Sequence, residues 1–117
     1  MPVKVIIKRK WKTEQPEELL PLLSEMRSHA KEQAGYITGE TLRSLDDPED
    51  FMVISVWETP EDWKKWSQSN ERRDIQHRVD SLIGEKSFYE IYETLFMGNP
   101  AQRVGLPMNF LPADYVF

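Results

Sequence analysis

The sequence predicts an α+β domain of the ferredoxin-like kind, with an antiparallel sheet and the element order β-α-β-β-α-β. Three observations carry the prediction. Four segments are apolar or aromatic with strand character, two segments between them repeat apolar residues at helical spacing, and prolines, glycines and acidic turns separate them. The 117 residues amount to one domain. A chain of that length buries ~65% of its unfolded surface, enough for a core without staples.

Residues 3–11 read as the first strand: Val3, Val5, Ile7 and Trp11 recur on one face, with Lys4, Lys8 and Lys10 on the other. A helix then opens at Pro16, or slightly later if Pro21 shifts its start. Leu19, Leu22 or Leu23, Met26 and Ala30 follow at helical spacing, and Gly35 is expected to end the run as a C-cap. Residues 36–45, rich in Thr, Ile and Tyr, are the second strand. The acidic run Asp46, Asp47, Glu49 and Asp50 around Pro48 reads as a hairpin turn. It lacks the glycine and ligand spacing of a calcium loop.

Residues 51–58 form the third and most apolar strand. Thr59 then stands as N-cap, Pro60 at the first helical position and Asp62 in an acidic variant of the capping box. The helical pattern continues, with or without a break near Ser69-Asn70, through Ile75, Val79 and Leu82 to Gly84. Residues 86–95 complete the sheet with Phe88, Tyr89, Ile91, Tyr92 and Leu95. In the remainder, Pro100, Pro107 and Pro112 exclude a long helix or central strand. Residues 1–95 are therefore the domain. Residues 96–117, with ten large apolar side chains and only Arg103 and Asp114 charged, are expected to be an ordered extended strap on the domain or on a partner subunit.

Composition narrows the partners. Twenty acidic against fifteen basic residues leave a net charge of −5, a field that repels phosphate backbones, so nucleic acid is not an expected partner. With no cysteine there is neither a disulfide nor a thiolate nucleophile or metal ligand. No apolar run reaches the ~20 residues of a membrane span. The opening Met-Pro-Val-Lys-Val runs straight into strand pattern rather than a signal peptide, so a cytoplasmic location is expected. The basic concentration Lys8, Arg9, Lys10 and Lys12 reads as a solvated strand end rather than an anion site.

Two helices cover one face of a four-stranded sheet, so the other face of a monomer should be polar. The third strand breaks that expectation: Phe51, Val53 and Trp57 point one way, Met52, Ile54 and Val56 the other. Such a face exceeds what a soluble monomer exposes, and a second copy, a ligand or the tail must cover it. A homodimer is the expectation.

The runs Gly35-Tyr36-Ile37-Thr38-Gly39-Glu40-Thr41-Leu42, Phe51-Met52-Val53-Ile54-Ser55-Val56-Trp57-Glu58 and Trp63-Lys64-Lys65-Trp66-Ser67 resemble the core of the antibiotic biosynthesis monooxygenase family. The resemblance covers roughly residues 3–95. It implies a dimeric α/β barrel, with a cavity between sheet and helices in each subunit, and an activity among cofactor-independent oxygenation of aromatic compounds, haem degradation and small-molecule isomerisation. Fold analogy does not choose among these.

For the haem-degrading branch, Trp66 matches a tryptophan beside the porphyrin. The first-strand Asn of that branch is replaced by Lys8, and Gln76 falls where the axial histidine is expected, with His77 one residue beyond. Metal ligation is otherwise not expected: the other histidine, His29, reads as solvated between Arg27 and Lys31. Cofactor-free oxygenation asks a protein to orient the substrate, favour its enolate or phenolate and exclude water. Arg72, Arg73 or Arg9 would stabilise that anion, and Tyr36, Tyr89 or Tyr92 would donate a hydrogen bond to it.

The candidate cavity residues are Trp57, Trp66, Tyr36, Tyr89, Arg72 and His77, with no catalytic residue singled out by spacing. The leading expectation is a dimeric oxygenase on a small, aromatic substrate with no obligatory cofactor. A haem-binding protein and a non-catalytic binding dimer are the alternatives.

Overall fold

A computed structural model describes residues 2–12 and 16–98. The expected strap, residues 96–117, lies outside the described residues from residue 99 onward. Strand β1 (Val3–Lys10) is followed by helix α1 (Pro16–Ala30), strands β2 (Tyr36–Arg43) and β3 (Asp50–Trp57), helices α2 (Pro60–Ser67) and α3 (Asn70–Ile83), and strand β4 (Phe88–Glu93). The sheet has the order β2-β3-β1-β4 with every neighbouring pair antiparallel. This is the ferredoxin-like arrangement that the element order predicts.

The strand register sorts the side chains into two layers. Val5 stands opposite Ser55 and Ile91, and Ile7 opposite Val53 and Tyr89, so these share the face that the helices cover. Leu19, Leu23 and Met26 from α1 and Ile75 and Val79 from α3 close the core over that face. The opposite face carries Ile6, Ile54, Val56, Met52 and Leu42 in its middle, with Phe88 and Tyr92 toward one edge. No described element covers it: Phe88 is 70% and Tyr92 50% exposed.

Two local details differ from the sequence expectation, both at the end of α1. The first helix stops at Ala30 instead of reaching a C-cap at Gly35, and Lys31, Glu32 and Gln33 hydrogen-bond backwards into a short turn. Gly35 serves a different purpose. Its φ of 85° turns the chain into β2, its carbonyl accepts the Glu58 N–H at 2.8 Å, and a β-carbon there would lie 2.6 Å from that of Asp62. Pro21, in the second turn of α1, removes one hydrogen bond without moving the start from Pro16.

The second helix is interrupted, as one of the two readings had it. Ser69 caps a new start by accepting the Arg72 N–H at 3.2 Å, while its hydroxyl donates to the Trp66 carbonyl at 2.8 Å. α2 itself begins at the expected Thr59 cap, whose hydroxyl accepts the Asp62 N–H at 3.1 Å. The acidic hairpin is a turn: Ser44 Oγ accepts the amides of Asp46 and Asp47, and Lys10 bridges Asp47 and Asp50. Among the described residues no helix is long and apolar enough to cross a membrane.

Candidate functional site

The break at Ser69 gives the site its shape. α2 is two turns long and presents Trp63 and Trp66, three residues apart, on the one face that it buries. α3 restarts so that its first turn aims Arg72 at the same place. Below them lie Ile7 and Arg9 of β1, Val53, Ser55 and Trp57 of β3, and Tyr36 at the head of β2. Between the layers is a cavity of about 50 Å³, the room of a water or two or of a small polar group.

One wall is a continuous run of rings. Tyr36 meets Trp57 edge-on at 5.3 Å between centroids, Trp57 meets Trp63 at 5.9 Å, and Trp63 meets Tyr89 at 6.2 Å. Such offset contacts hold flat side chains in fixed orientations. Trp57, 1% exposed, is further tied by its indole N–H, which donates to Ser55 Oγ at 3.1 Å. Tyr36 lies over Gly39, where a β-carbon would come within 2.5 Å of its hydroxyl.

The polar side is cationic. The Arg72 guanidinium lies 5.1 Å from the Trp63 ring centroid and 5.2 Å from that of Tyr89, and Nη2 donates to the Tyr89 hydroxyl at 3.1 Å. That hydroxyl donates to Gln76 Oε1 at 2.9 Å, which also accepts from Arg9 Nη2 at 3.1 Å. Gln76 is held in this orientation because its amide N–H donates to Asp80 at 2.8 Å. Arg9 and Arg72 are 3% and 4% exposed, and the Nε–H of each is buried with no hydrogen-bond partner among the described residues. Loss of hydration pushes Arg9 down from 12.5 to about 10, with neighbouring Arg72 adding to the effect and Tyr89 and Asp80 opposing it. It remains cationic at neutral pH. At the opposite end Arg27 of α1 donates to Thr41 of β2 at 2.7 Å and separates the cavity from an outer groove of about 270 Å³.

The structure brings Trp57, Trp66, Tyr36 and Arg72 to this cavity, and Tyr89 reaches it through Arg72 and Trp63. His77 is not brought there. It is exposed on α3 and borders surface grooves with Arg73 and Leu82, because the buried stripe of that helix runs through Arg72, Ile75 and Val79. Tyr92 points to the uncovered face and pairs with Glu90, and Arg73 is exposed.

A porphyrin does not fit this arrangement. Neither histidine lines the cavity, so no imidazole there offers an axial ligand to its iron. The described residues hold no group of three or more candidate metal ligands.

The solvated reading of the basic strand end holds for Lys8, Lys10 and Lys12 and fails for Arg9. Its parity carried the signal, since residue 9 falls on the same face as Val3, Val5 and Ile7. Gln76 stands one turn beyond Arg72, a placement that marks a partner only once Arg72 is known to be buried.

The antibiotic biosynthesis monooxygenase family model matches residues 2–78, and the chain belongs to that family. Solved structures agree on the fold. SnoaB, a cofactor-independent oxygenase from Streptomyces nogalater, superposes with a TM-score of 0.74 at 14% identity, over 82% of this chain and 95% of its own. A conserved protein from Methanosarcina mazei gives 0.73 at 17% identity, over 79% and 91%. Rv0793 from Mycobacterium tuberculosis gives 0.72 at 16% identity, over 87% and 100%. No curated protein matches the chain.

Proposed function

We propose that the chain is a monooxygenase that acts, without an obligatory cofactor, on a small aromatic substrate held between its sheet and helices. The observation that carries this reading is the pairing of a fixed aromatic wall, Tyr36-Trp57-Trp63, with buried positive charge at Arg72. A flat, electron-rich substrate stacks on the rings, and the guanidinium favours its enolate or phenolate, the form that gives electrons to oxygen. Converting a ring CH2 to a carbonyl uses one O2 and releases one water. The substrate supplies all four electrons, so the balance needs no external reductant. Closure by Arg27 and Thr41 keeps bulk water from the anion.

The cavity is smaller than a ring system, so a substrate enters by parting α1 from β2 and using the outer groove. Oxygen uptake measured against a panel of hydroxyaromatics, tricyclic phenols included, tests the reading. Uptake at one O2 per product, unchanged by a chelator, supports it, and uptake no faster than buffer across the panel overturns it.

The active form in this proposal is a homodimer. The uncovered face with Ile6, Met52, Ile54 and Val56 at its centre is the surface that a second copy would bury. Light scattering at the mass of one chain, 13.8 kDa, throughout the micromolar range would refute the dimer.

A further inference from the structure

Arg9 and Arg72 put two positive charges into the interior, and neither hydrogen-bonds to a carboxylate among the described residues. Asp80 acts on Arg9 only through space, since its side chain accepts from Gln76. Both arginines spend one donor on a neutral oxygen, and both hold a buried Nε–H that no group among the described residues accepts. Buried cations are ordinarily paired, and an unpaired one destabilises the fold that contains it. An anion from outside would complete such an arrangement. The planar fork of a guanidinium, with adjacent donors free, matches the two oxygens of a carboxylate.

We propose that Arg9 and Arg72 form a carboxylate receptor, and that the substrate of this site is an aromatic carboxylic acid whose anionic end docks between them. The proposal rests on the reading of this cavity as the substrate site. In the closed form its volume of about 50 Å³ accommodates the carboxylate; when α1 parts from β2, the ring lies on the Tyr36-Trp57-Trp63 wall, and the groove of about 270 Å³ that shares Leu23, Arg27 and Thr41 with the cavity is its entry. The Tyr89-Gln76 link is the positioning device. Gln76 Oε1 occupies one donor of Arg9, Tyr89 occupies one of Arg72, and both guanidinium groups are thereby fixed about a common centre.

The test uses benzoate and its neutral isostere benzamide on the full chain, by calorimetry and by NMR of the arginine Nε–H signals. Benzoate is expected to bind one per chain and at least about tenfold tighter than benzamide, the worth of one charge-assisted hydrogen bond. It should also shift two buried Nε–H resonances. In Arg72→Met and Arg9→Met the preference for benzoate is expected to fall by about tenfold, with a melting temperature equal to or above that of the parent, because an unpaired buried charge has been removed. Should either variant fail to fold, the Nε–H shifts of the unaltered protein decide. Equal affinity for the two probes, or resonances that benzoate leaves in place, would overturn the receptor. Benzoate docking without oxygenation of any aromatic would leave the receptor standing and remove the oxygenase reading. Oxygenation at the same kcat/KM with and without a carboxylate on the substrate would do the reverse.

Discussion

The orientation of Trp57 depends on one hydrogen bond, and removing its acceptor gives a quantitative check on the site. Ser55→Ala leaves the indole N–H without a partner beneath the cavity. An orphaned buried donor costs ~1–3 kcal/mol. The neighbouring space of about 50 Å³ admits a water that recovers part of this, so ~1–2 kcal/mol is expected. For 117 residues that corresponds to a fall in Tm of ~4–8 °C. Trp57→Phe removes the donor itself and costs less than the ~3–5 kcal/mol of truncating such a ring to alanine. In the double variant Ser55→Ala no longer strands anything, so the combined loss should fall short of the sum by ~1 kcal/mol. Urea denaturation followed by tryptophan fluorescence, at one fixed protein concentration because association shifts apparent stability, measures all four corners of the cycle. Additivity within ~0.3 kcal/mol would mean that the Ser55 hydroxyl does not hold the ring, and the rigid wall would have lost its support.

Three further substitutions probe the same scaffold. Gly35→Ala should destabilise by more than Gly84→Ala: both replace a left-handed glycine, worth ~1–2 kcal/mol, but only at residue 35 does the new carbon meet Asp62, while residue 84 faces open space. Equal losses in thermal melts would dismiss the contact. Trp66→Ala should cost ~3–5 kcal/mol, since the ring is buried in the core as well as bordering the cavity, and a loss under ~1 kcal/mol would place it outside the core. Asp47→Asn tests the acidic hairpin. The Glu49 amide, and then Lys10, hold the Asp47 carboxyl below its ordinary value of 3.8. A carboxyl lowered on folding contributes stability that is present above 3.8 and fades as acidification passes through the folded value. Melting curves of parent and variant should therefore differ slightly near neutrality and converge in acid, and a gap that widens in acid would contradict the sign.

What the sequence made legible follows from how many residues each feature spans. Alternation over eight residues marks β1, a near-continuous apolar run marks β3, and the Thr59-Pro60-Asp62 start of α2 combines three independent signals, so the element order is readable without coordinates. Ends are less so, because they depend on single contacts. Gly35 is a sound glycine signal attached to the wrong element: it reads as the end of α1, whereas its positive φ turns the chain into β2 and its missing side chain leaves room for Asp62 of α2. Of the cavity, the aromatic wall was foreseeable from Trp57 and the Trp63-Trp66 spacing. His77, named among the cavity candidates, is turned away by the same one-residue offset that the sequence shows, a rotation of ~100° on a helix.

Arg9 and Arg72 were both named as stabilisers of an anion, yet nothing set them apart from Arg73, and Arg9 was also read as part of a solvated strand end. An arginine amid lysines on a strand end invites a solvated reading, yet alternation puts Arg9 on the face of Val5 and Ile7, as the i, i+3, i+7 spacing puts Arg72 on the stripe of Ile75 and Val79. A cation on an apolar stripe is a conflict between pattern and residue type, and such conflicts concentrate where function has overridden stability. Here two of them, far apart in sequence, converge on one glutamine side chain and one cavity. Neither was decisive alone. Their convergence is the ground of the proposed receptor: one buried charge can be accommodated locally, whereas two of the same sign repel each other, and an anion between them would relieve that repulsion.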